Sequence, residues 1–245
     1  MRLNEINSST YEEVVAWVKK NYYTDEIKVN PDGTVRVVLK NLYLSNKIKG
    51  DSLPFVITEC EGSIRMHSNH MLSTLKGCPL HVKGDFDVDH CLKLTSLEHA
   101  PRTVDGDATF FKCGLTSLKW VPSFVGGGLD VASNKITSID DMTETTILGG
   151  WDLKKNQIKS FHNIHKKVTR CNGLILIDRN PVESHVLGFI LIEGLEGVSV
   201  DEDLTNEPVQ QAFEIVNKYI GKGKSGVIEA QEEMLDLGLD DFAQL

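Results

Sequence analysis

Large apolar residues recur along the chain with a period close to 22 residues. Five four-residue segments, LSTL, LTSL, LTSL, ITSI and IKSF, each carry an apolar residue at both ends. They start at residues 72, 94, 115, 136 and 158, which are 22, 21, 21 and 22 residues apart. Such a period predicts stacked structural turns, because one turn of this length cannot bury its own apolar face.

A second block, in which apolar and polar residues alternate, precedes each segment. It reads LDVASNKI at 129–136 and WDLKKNQI at 151–158, and related stretches occur at 86–91 and 108–115. Alternation predicts a short strand with one buried face. The block closes with Asn or Cys, whose side chain we expect inside the turn, paired with backbone groups. This position forms the series Asn46, Asn69, Cys91, Cys113, Asn134, Asn156 and Asn180.

The combined pattern, L-x-L-x-x-N/C-x-L, resembles the leucine-rich repeat and covers residues 42–180. The short period and the segments PRTV at 101–104 and PSFV at 122–125 resemble the bacterial effector type of this repeat. In that type the outer side of each turn is an extended strip and not a helix. The resemblance implies an α/β solenoid of about seven turns, each 21–24 residues long, with a parallel β-sheet.

The residues before the repeat predict a helix and a hairpin. SSTYEEVVAWVKKNY at 8–22 has early Glu, late Lys and apolar residues at helical spacing, which indicates an amphipathic helix. KVNPDGTVRVV at 28–38 predicts a β-hairpin that turns at Asp32 and Gly33. Because a solenoid needs its end turns covered, we expect residues 1–40 to form an N-terminal cap.

The residues after the repeat predict three helices. An apolar helix is expected at 182–195, a helix with an Asn cap and an early Pro at 206–220, and an acidic helix with a short tail at 226–245. The predicted domains are therefore the cap at 1–40, the solenoid at 41–181, and a C-terminal helical cap with an acidic tail at 182–245. The stretches NKYIGKG and QEEMLDLGLDDFAQL resemble tails of leucine-rich-repeat proteins from tailed bacteriophages.

Catalytic and metal-binding motifs are not found in the sequence. The five cysteines include no CxxC pair, and no Cys is followed two residues later by Asp, as the ubiquitin-ligase domain of the bacterial effector proteins requires. GKGKSG at 221–226 lacks the first Gly and the preceding strand of a P-loop. The histidine pairs 67/70 and 162/165 have no further ligand to complete a zinc site. We expect no enzyme activity, no metal and no cofactor.

Charge is unevenly distributed. The formal net charge is −9, and residues 200–245 hold eleven acids and three Lys, so the remainder is almost neutral. Direct binding of nucleic acid is therefore not expected, whereas a partner with a basic surface is. No apolar run is long enough to span a membrane, and the first twenty residues contain no signal-type run, which predicts a protein of the cytosol.

The strand positions that alternate with the buried ones carry seven aspartates against one Arg and one Lys. Asp is a poor strand former, so the fold itself is not expected to require it. Two interpretations stay open: a solvated face kept soluble by its charge, or an acidic concave trough around Phe111 that binds a basic protein. The candidate partner-binding residues are Arg65, His67, Asp85, Asp87, Asp89, Asp107, Phe111, Asp130, Asp152, Lys154 and Asp178.

These patterns together predict a non-enzymatic protein-binding module. The phage resemblance implies a phage-encoded protein that acts in the host cytoplasm, where it binds and inhibits a host protein, such as a defence or nucleic-acid-processing protein. The first alternative is an adaptor or enzyme whose active part is the C-terminal helical unit. The second is a structural component of the virion.

Overall fold

The computed structural model describes residues 11–21, 27–37, 41–200 and 206–245, and shows a β-solenoid of about seven turns with a few helices. Its strands form two eight-stranded sheets. The strands are β1 (Ile27–Val29), β2 (Val35–Val37), β3 (Leu42–Tyr43), β4 (Ile57–Cys60), β5 (Ile64–Arg65), β6 (His81–Val82), β7 (Phe86–Asp87), β8 (Thr103–Val104), β9 (Ala108–Thr109), β10 (Phe124–Val125), β11 (Leu129–Asp130), β12 (Thr145–Ile147), β13 (Trp151–Asp152), β14 (Val168–Cys171), β15 (Leu174–Leu176) and β16 (Gly197–Ser199).

One sheet, which we call sheet I, contains the strands predicted from the alternating blocks. Its order is β16-β15-β13-β11-β9-β7-β5-β3, and every neighbouring pair is parallel. The pairing joins like positions of successive repeats, so that Phe86 lies beside Ala108 and Leu129 beside Trp151. These four side chains are at most 1% exposed. The predicted parallel sheet with one buried face is therefore confirmed.

The outer strip forms a second sheet, sheet II, in the order β1-β2-β4-β6-β8-β10-β12-β14. The resemblance to the bacterial effector type implied an extended strip here, and the structure adds that adjacent strips are hydrogen-bonded as parallel strands. Pro101 and Pro122 lie just before β8 and β10, where their missing N–H costs no sheet hydrogen bond. Val104 and Val125 are fully buried and join the residues of sheet I in one continuous core.

The hairpin before the solenoid forms as predicted. Strands β1 and β2 are antiparallel, with Val29 opposite Val35. Gly33 takes a φ of 80°, which a residue with a Cβ atom rarely adopts. The side chain of Asp32 accepts hydrogen bonds from both the N–H and the hydroxyl of Thr34. Residue 38 lies outside the described residues.

Four α-helices and one 3-10 helix are described. Helix α1 (Tyr11–Asn21) lies within the predicted range, of which residues 8–10 and 22 fall outside the described part. The short helix α2 is Ile164–Lys167. Helix α3 (Glu207–Tyr219) begins as predicted, because the side chain of Asn206 accepts the N–H of Val209 at 3.1 Å. Helix α4 (Gly223–Asp236) starts three residues earlier than predicted. None of the described helices is long and apolar enough to cross a membrane.

The predicted apolar helix at 182–195 is wrong. This segment contains only the 3-10 helix Leu187–Leu191, and strand β16 follows it and extends sheet I past residue 181. Gly188 and Gly194 weaken a helix here, and Gly194 takes a φ of 77°, outside the helical region. The side-chain amide of Asn217, on α3, then pairs with both the N–H and the carbonyl of Val198 on β16, at 2.8 Å each.

The Asn position closes each turn by bonding to the turn before it. Asn156 is 5% exposed. Its Nδ2 donates to the carbonyls of Leu153 and Val131 at 2.9 and 3.0 Å, and its Oδ1 accepts the N–H of Ile136 at 3.1 Å. In the Cys turns the thiol of Cys113 donates to the carbonyl of Val88 at 3.0 Å.

The first member of the series is out of register by one residue. Leu42 pairs with Ile64, which puts Lys47 and not Asn46 level with Asn69. Asn46 instead takes a φ of 58°, like Ser68 in the next turn. The assignment of Asn46 to the turn-closing position was therefore wrong. Asn fits its observed place because its short polar side chain tolerates the left-handed region.

Replacing Asn134 or Asn156 by Ala is expected to lower the free energy of unfolding by about 1–3 kcal/mol, because buried backbone groups lose their partners. Cys113→Asn is expected to be tolerated, since Asn and Cys serve the same position. Urea unfolding of the three variants checks this. A large loss in Cys113→Asn together with no loss in Asn134→Ala would contradict the assigned role.

Candidate functional site: the aspartate face of sheet I

We use the name aspartate face for the outward side chains of sheet I at the eleven candidate positions. Strand pairing places Arg65, Asp87, Thr109, Asp130 and Asp152 side by side, one from each successive turn. Parallel neighbours are about 4.8 Å apart, so these groups form a close row. Strand pairing thus brings four of the candidate residues, Arg65, Asp87, Asp130 and Asp152, into one row of sheet I.

The aspartates of this row also accept hydrogen bonds from the backbone. Asp87, Asp130 and Asp152 each accept the N–H of the residue two positions later, at 3.2, 2.8 and 2.9 Å. The chain leaves the strand here and turns into a left-handed residue, such as Ser133 with a φ of 57°, so this amide has left the regular ladder. In the turn that has Thr109, Asp89 of the previous turn accepts the corresponding N–H, that of Phe111, at 3.0 Å.

Where the chain enters sheet I, a second row of side chains accepts hydrogen bonds from backbone N–H groups of the next turn. Asn41 accepts the N–H of Ser63, Ser63 that of Asp85, and Asp85 that of Asp107, at 3.1, 2.8 and 3.2 Å. Asp107 then accepts the N–H of Gly128 at 2.7 Å. The expectation that the fold does not require these aspartates is therefore wrong. A short acceptor side chain such as that of Asp can hydrogen-bond to a backbone N–H nearby, and strand propensity does not take this bond into account.

Glycines that the sequence analysis did not single out make this row possible. Gly106 donates its N–H to the carbonyl of Gly84 and stands against the preceding turn. A Cβ atom on Gly106 would lie 2.4 Å from Oδ1 of Asp85, and one on Gly127 would lie 2.1 Å from Oδ1 of Asp107. The detectable signal was a Gly one residue before Asp85 and Asp107 and two residues before Asp130 and Asp152, repeated at the period of the turns.

Positive charge on the aspartate face is confined to its two ends. At one end Arg65 lies 3.5 Å from Asp85 and His67 lies 3.5 Å from Asp87. At the other end Nζ of Lys154 lies 3.1 Å from Asp152. These side chains are between 22% and 44% exposed, so each pair contributes little to stability.

The centre of the face lacks such partners. Within the described residues, Asp89 and Asp130 form no ion pair. Burial raises the pKa of Asp89 to about 6, and the charge of Asp87 adds to the shift. Burial, followed by the charge of Asp152, also raises the pKa of Asp130, although the N–H of Ala132 opposes the shift. The centre thus holds two carboxyls without an ion pair among the described residues, although the charge of Lys154 also opposes the shift at Asp130.

Phe111 lies beside this centre. Its backbone is fixed by Asp89, and its ring meets the ring of His90 edge-on, with centroids 5.3 Å apart. The ring is partly exposed, which leaves apolar surface next to carboxylates. Asp178 lies near the end of the face, where its carbonyl accepts the N–H of Lys155 at 2.8 Å.

The described residues show neither a cluster of metal ligands nor a thiol with a lowered pKa. They contain no cluster of three or more His, Cys, Asp or Glu side chains placed to hold a metal ion. His162 contacts the ring of His185, with centroids 5.1 Å apart. All five cysteines are free thiols. Burial raises the pKa of Cys91 to about 11 and that of Cys113 to about 12, so both thiols stay protonated and unreactive at neutral pH.

The raised pKa of Asp89 predicts a pH dependence of stability. A carboxyl whose pKa is raised by folding stabilises the fold when protonated, so this contribution is present near pH 4 and is lost as the pH rises through about 6. Asp89→Asn keeps an acceptor for Phe111 without the charge. It should raise the free energy of unfolding at pH 7 by about 1 kcal/mol, after discounting for solvent screening.

Urea unfolding of the wild type and of Asp89→Asn at pH 4.5 and pH 7 measures this effect. Asp236→Asn removes one exposed charge from α4 and is the matched control. If Asp89→Asn and the wild type change equally between the two pH values, the assignment of the titrating group to Asp89 is wrong.

No family model, curated protein or solved structure matches this chain. The role of the aspartate face therefore has to be inferred from its own geometry. That geometry is a row of carboxylates that accept backbone N–H groups, with cations near its ends and an aromatic ring beside Asp89, which forms no ion pair among the described residues.

Proposed function

We propose that this chain is a leucine-rich-repeat protein without enzymatic activity, and that its aspartate face binds a basic surface of another protein. The observation that carries the proposal is the row of carboxylates held by backbone N–H groups, in which Asp89 and Asp130 form no ion pair among the described residues. A Lys or Arg of a partner placed there would lower the pKa of both carboxyls and relieve their repulsion. Stacked repeats also offer the extended surface that proteins of this architecture use for binding.

The pre-organisation of the carboxylates supports binding. Because each accepts a backbone N–H, the side chains of Asp87, Asp130 and Asp152 lose little rotamer freedom when a partner arrives. The second oxygen of Asp130 can accept a charge-assisted bond from Arg or Lys of a partner, whereas those of Asp87 and Asp152 already lie near His67 and Lys154. Phe111 supplies an apolar anchor of the kind that dominates interface energies.

The helices at the two ends of the chain act as caps in this proposal. On the N-terminal side, Trp17 of α1 packs edge-on against Phe55, with ring centroids 5.1 Å apart. On the C-terminal side, Asn217 occupies the open edge of β16 with a side-chain amide in place of a further strand. Caps of this kind prevent stacking of one solenoid onto another.

The proposed setting is phage infection. The C-terminal stretches NKYIGKG and QEEMLDLGLDDFAQL, which resemble the tails of phage leucine-rich-repeat proteins, support a phage-encoded protein that inhibits a host protein in the host cytoplasm. A host defence or nucleic-acid-processing protein fits, because such proteins expose basic surfaces. The alternatives are an adaptor or enzyme that works through α3 and α4, and a virion component.

Recovery of a partner from bacterial lysate by a tagged protein tests the binding role. The triple variant Asp87→Asn, Asp130→Asn and Asp152→Asn keeps the acceptors for the backbone and removes three charges. We expect it to melt within a few degrees of the wild type and to recover a basic partner at least tenfold less well, which corresponds to about 1.4 kcal/mol of binding free energy. Higher salt should weaken recovery by the wild type.

A second triple variant, Glu229→Gln, Glu232→Gln and Asp236→Asn, removes three exposed charges from α4 and is the matched control. It should recover the partner like the wild type. Loss of the partner in this control, with retention in the aspartate-face variant, would assign the interface to the C-terminal helices. Co-purification with phage particles would favour the virion role.

A further inference from the structure

An apolar groove lies on the outer side of the solenoid, beside the starts of strands β6, β8 and β10. We call it the outer groove; its volume is about 480 Å³, and its apolar lining consists of Leu80, Ala100, Pro101, Trp120 and Val121. Ala100, Pro101 and Val121 are buried and form its floor. Leu80 is 70% exposed, more than any other large apolar side chain of the described residues, and Trp120 is 49% exposed. The groove thus leaves apolar surface open to solvent.

The backbone does not favour a Trp at this position. Trp120 and His99, its equivalent in the preceding turn, take φ values of 72° and 70°, in the left-handed region where bulky side chains are rare. The equivalent residues of two other turns are Gly77, with a φ of 98°, and Asn163, with a φ of 55°. Gly and Asn are the residues that this conformation favours. A Trp that is both strained and exposed points to a contact outside the fold.

Two unpaired side chains of opposite charge line the same groove. Glu98 and Arg102 are exposed, and within the described residues neither side chain forms an ion pair or a hydrogen bond. The floor residues Ala100 and Pro101 lie between them in the chain. One copy therefore presents an unpaired carboxylate and an unpaired guanidinium beside one apolar floor.

This pair of charges selects the occupant. An acidic partner would place its charge near Glu98, and a basic partner would place its charge near Arg102, so a partner of one sign is repelled by one of the two. A second copy carries both charges. In a twofold contact each residue meets its counterpart reciprocally, so Arg102 of each copy can face Glu98 of the other.

We propose that the outer groove is a self-association surface on which a second copy of this chain docks with twofold symmetry. Leu80 of each copy enters the groove of the other beside Trp120 and supplies the apolar contact. The reciprocal pairs of Arg102 and Glu98 fix the register. The aspartate face lies on sheet I, whereas the groove borders sheet II, so this association does not depend on the function proposed above.

The size of the groove predicts a weak dimer. Ten residues line it, whereas each side of a standard interface uses about 20–30. We therefore expect a dissociation constant on the order of 10–100 µM. Sedimentation equilibrium of the full chain between about 5 and about 500 µM should show a change from one chain to two. A chain that stays monomeric over this range would overturn the proposal.

Trp120→Asn tests the apolar contact. Because Asn163 has the same conformation at the equivalent position, this variant should melt no lower than the wild type. Its dimer should dissociate at least tenfold more readily. The matched control is Ile228→Gln, which removes an exposed apolar side chain from α4 and should leave the dimer unchanged. Loss of the dimer in the control, with retention in Trp120→Asn, would assign the contact to α4 and overturn the proposal.

Exchange of the two charges tests the twofold pairing. Arg102→Glu and Glu98→Arg each place like charges opposite one another, so each should weaken the dimer at least tenfold. The double variant and an equal mixture of the two single variants both restore opposite pairs, and both should dimerise like the wild type. A double variant that melts like the wild type but stays monomeric contradicts the reciprocal contact between Arg102 and Glu98.

Discussion

Each turn of this solenoid depends on side chains that form hydrogen bonds with the backbone of a neighbouring turn. A chain that reverses direction every few residues exposes amides and carbonyls that regular sheet pairing cannot reach, and burying them unpaired would cost about 1–3 kcal/mol each. Asn134 and Asn156 meet this requirement inside the turn, and Asp85 and Asp107 meet it at the entry to sheet I. Apolar stacking can form only because these groups are satisfied.

The same requirement changes the interpretation of the aspartates. A carboxylate that accepts a backbone N–H with one oxygen serves the fold and can still pair with a cation through the other. Asp87, Asp130 and Asp152 each accept a backbone N–H, and the second oxygens of Asp87 and Asp152 lie near His67 and Lys154, so Asp130 is the one of the three without an ion pair among the described residues. A change to Asn separates the two roles, because the amide oxygen keeps the acceptor and removes the charge. A change to Lys would confound them.

Stacking in register also sorts charge. A residue type that recurs at one position of the repeat becomes a row, as Asp87, Asp130 and Asp152 do on sheet I. The net charge of the whole chain does not show such a row. The proposed protein-binding face is thus a consequence of one periodic sequence folded into one periodic structure.

The sequence by itself determined the period, the strands of sheet I, the buried Asn and Cys position and the helix at Asn206, because each depends on spacing or on a local cap. Only the tertiary structure decided that the outer strip pairs as sheet II, that Asn46 is one residue out of register, and that 187–191 is a 3-10 helix before another strand. The tertiary structure also decided that the aspartates accept hydrogen bonds from backbone N–H groups of their own turn or of the next turn. Those outcomes depend on which groups of neighbouring turns meet, and the linear sequence does not show that.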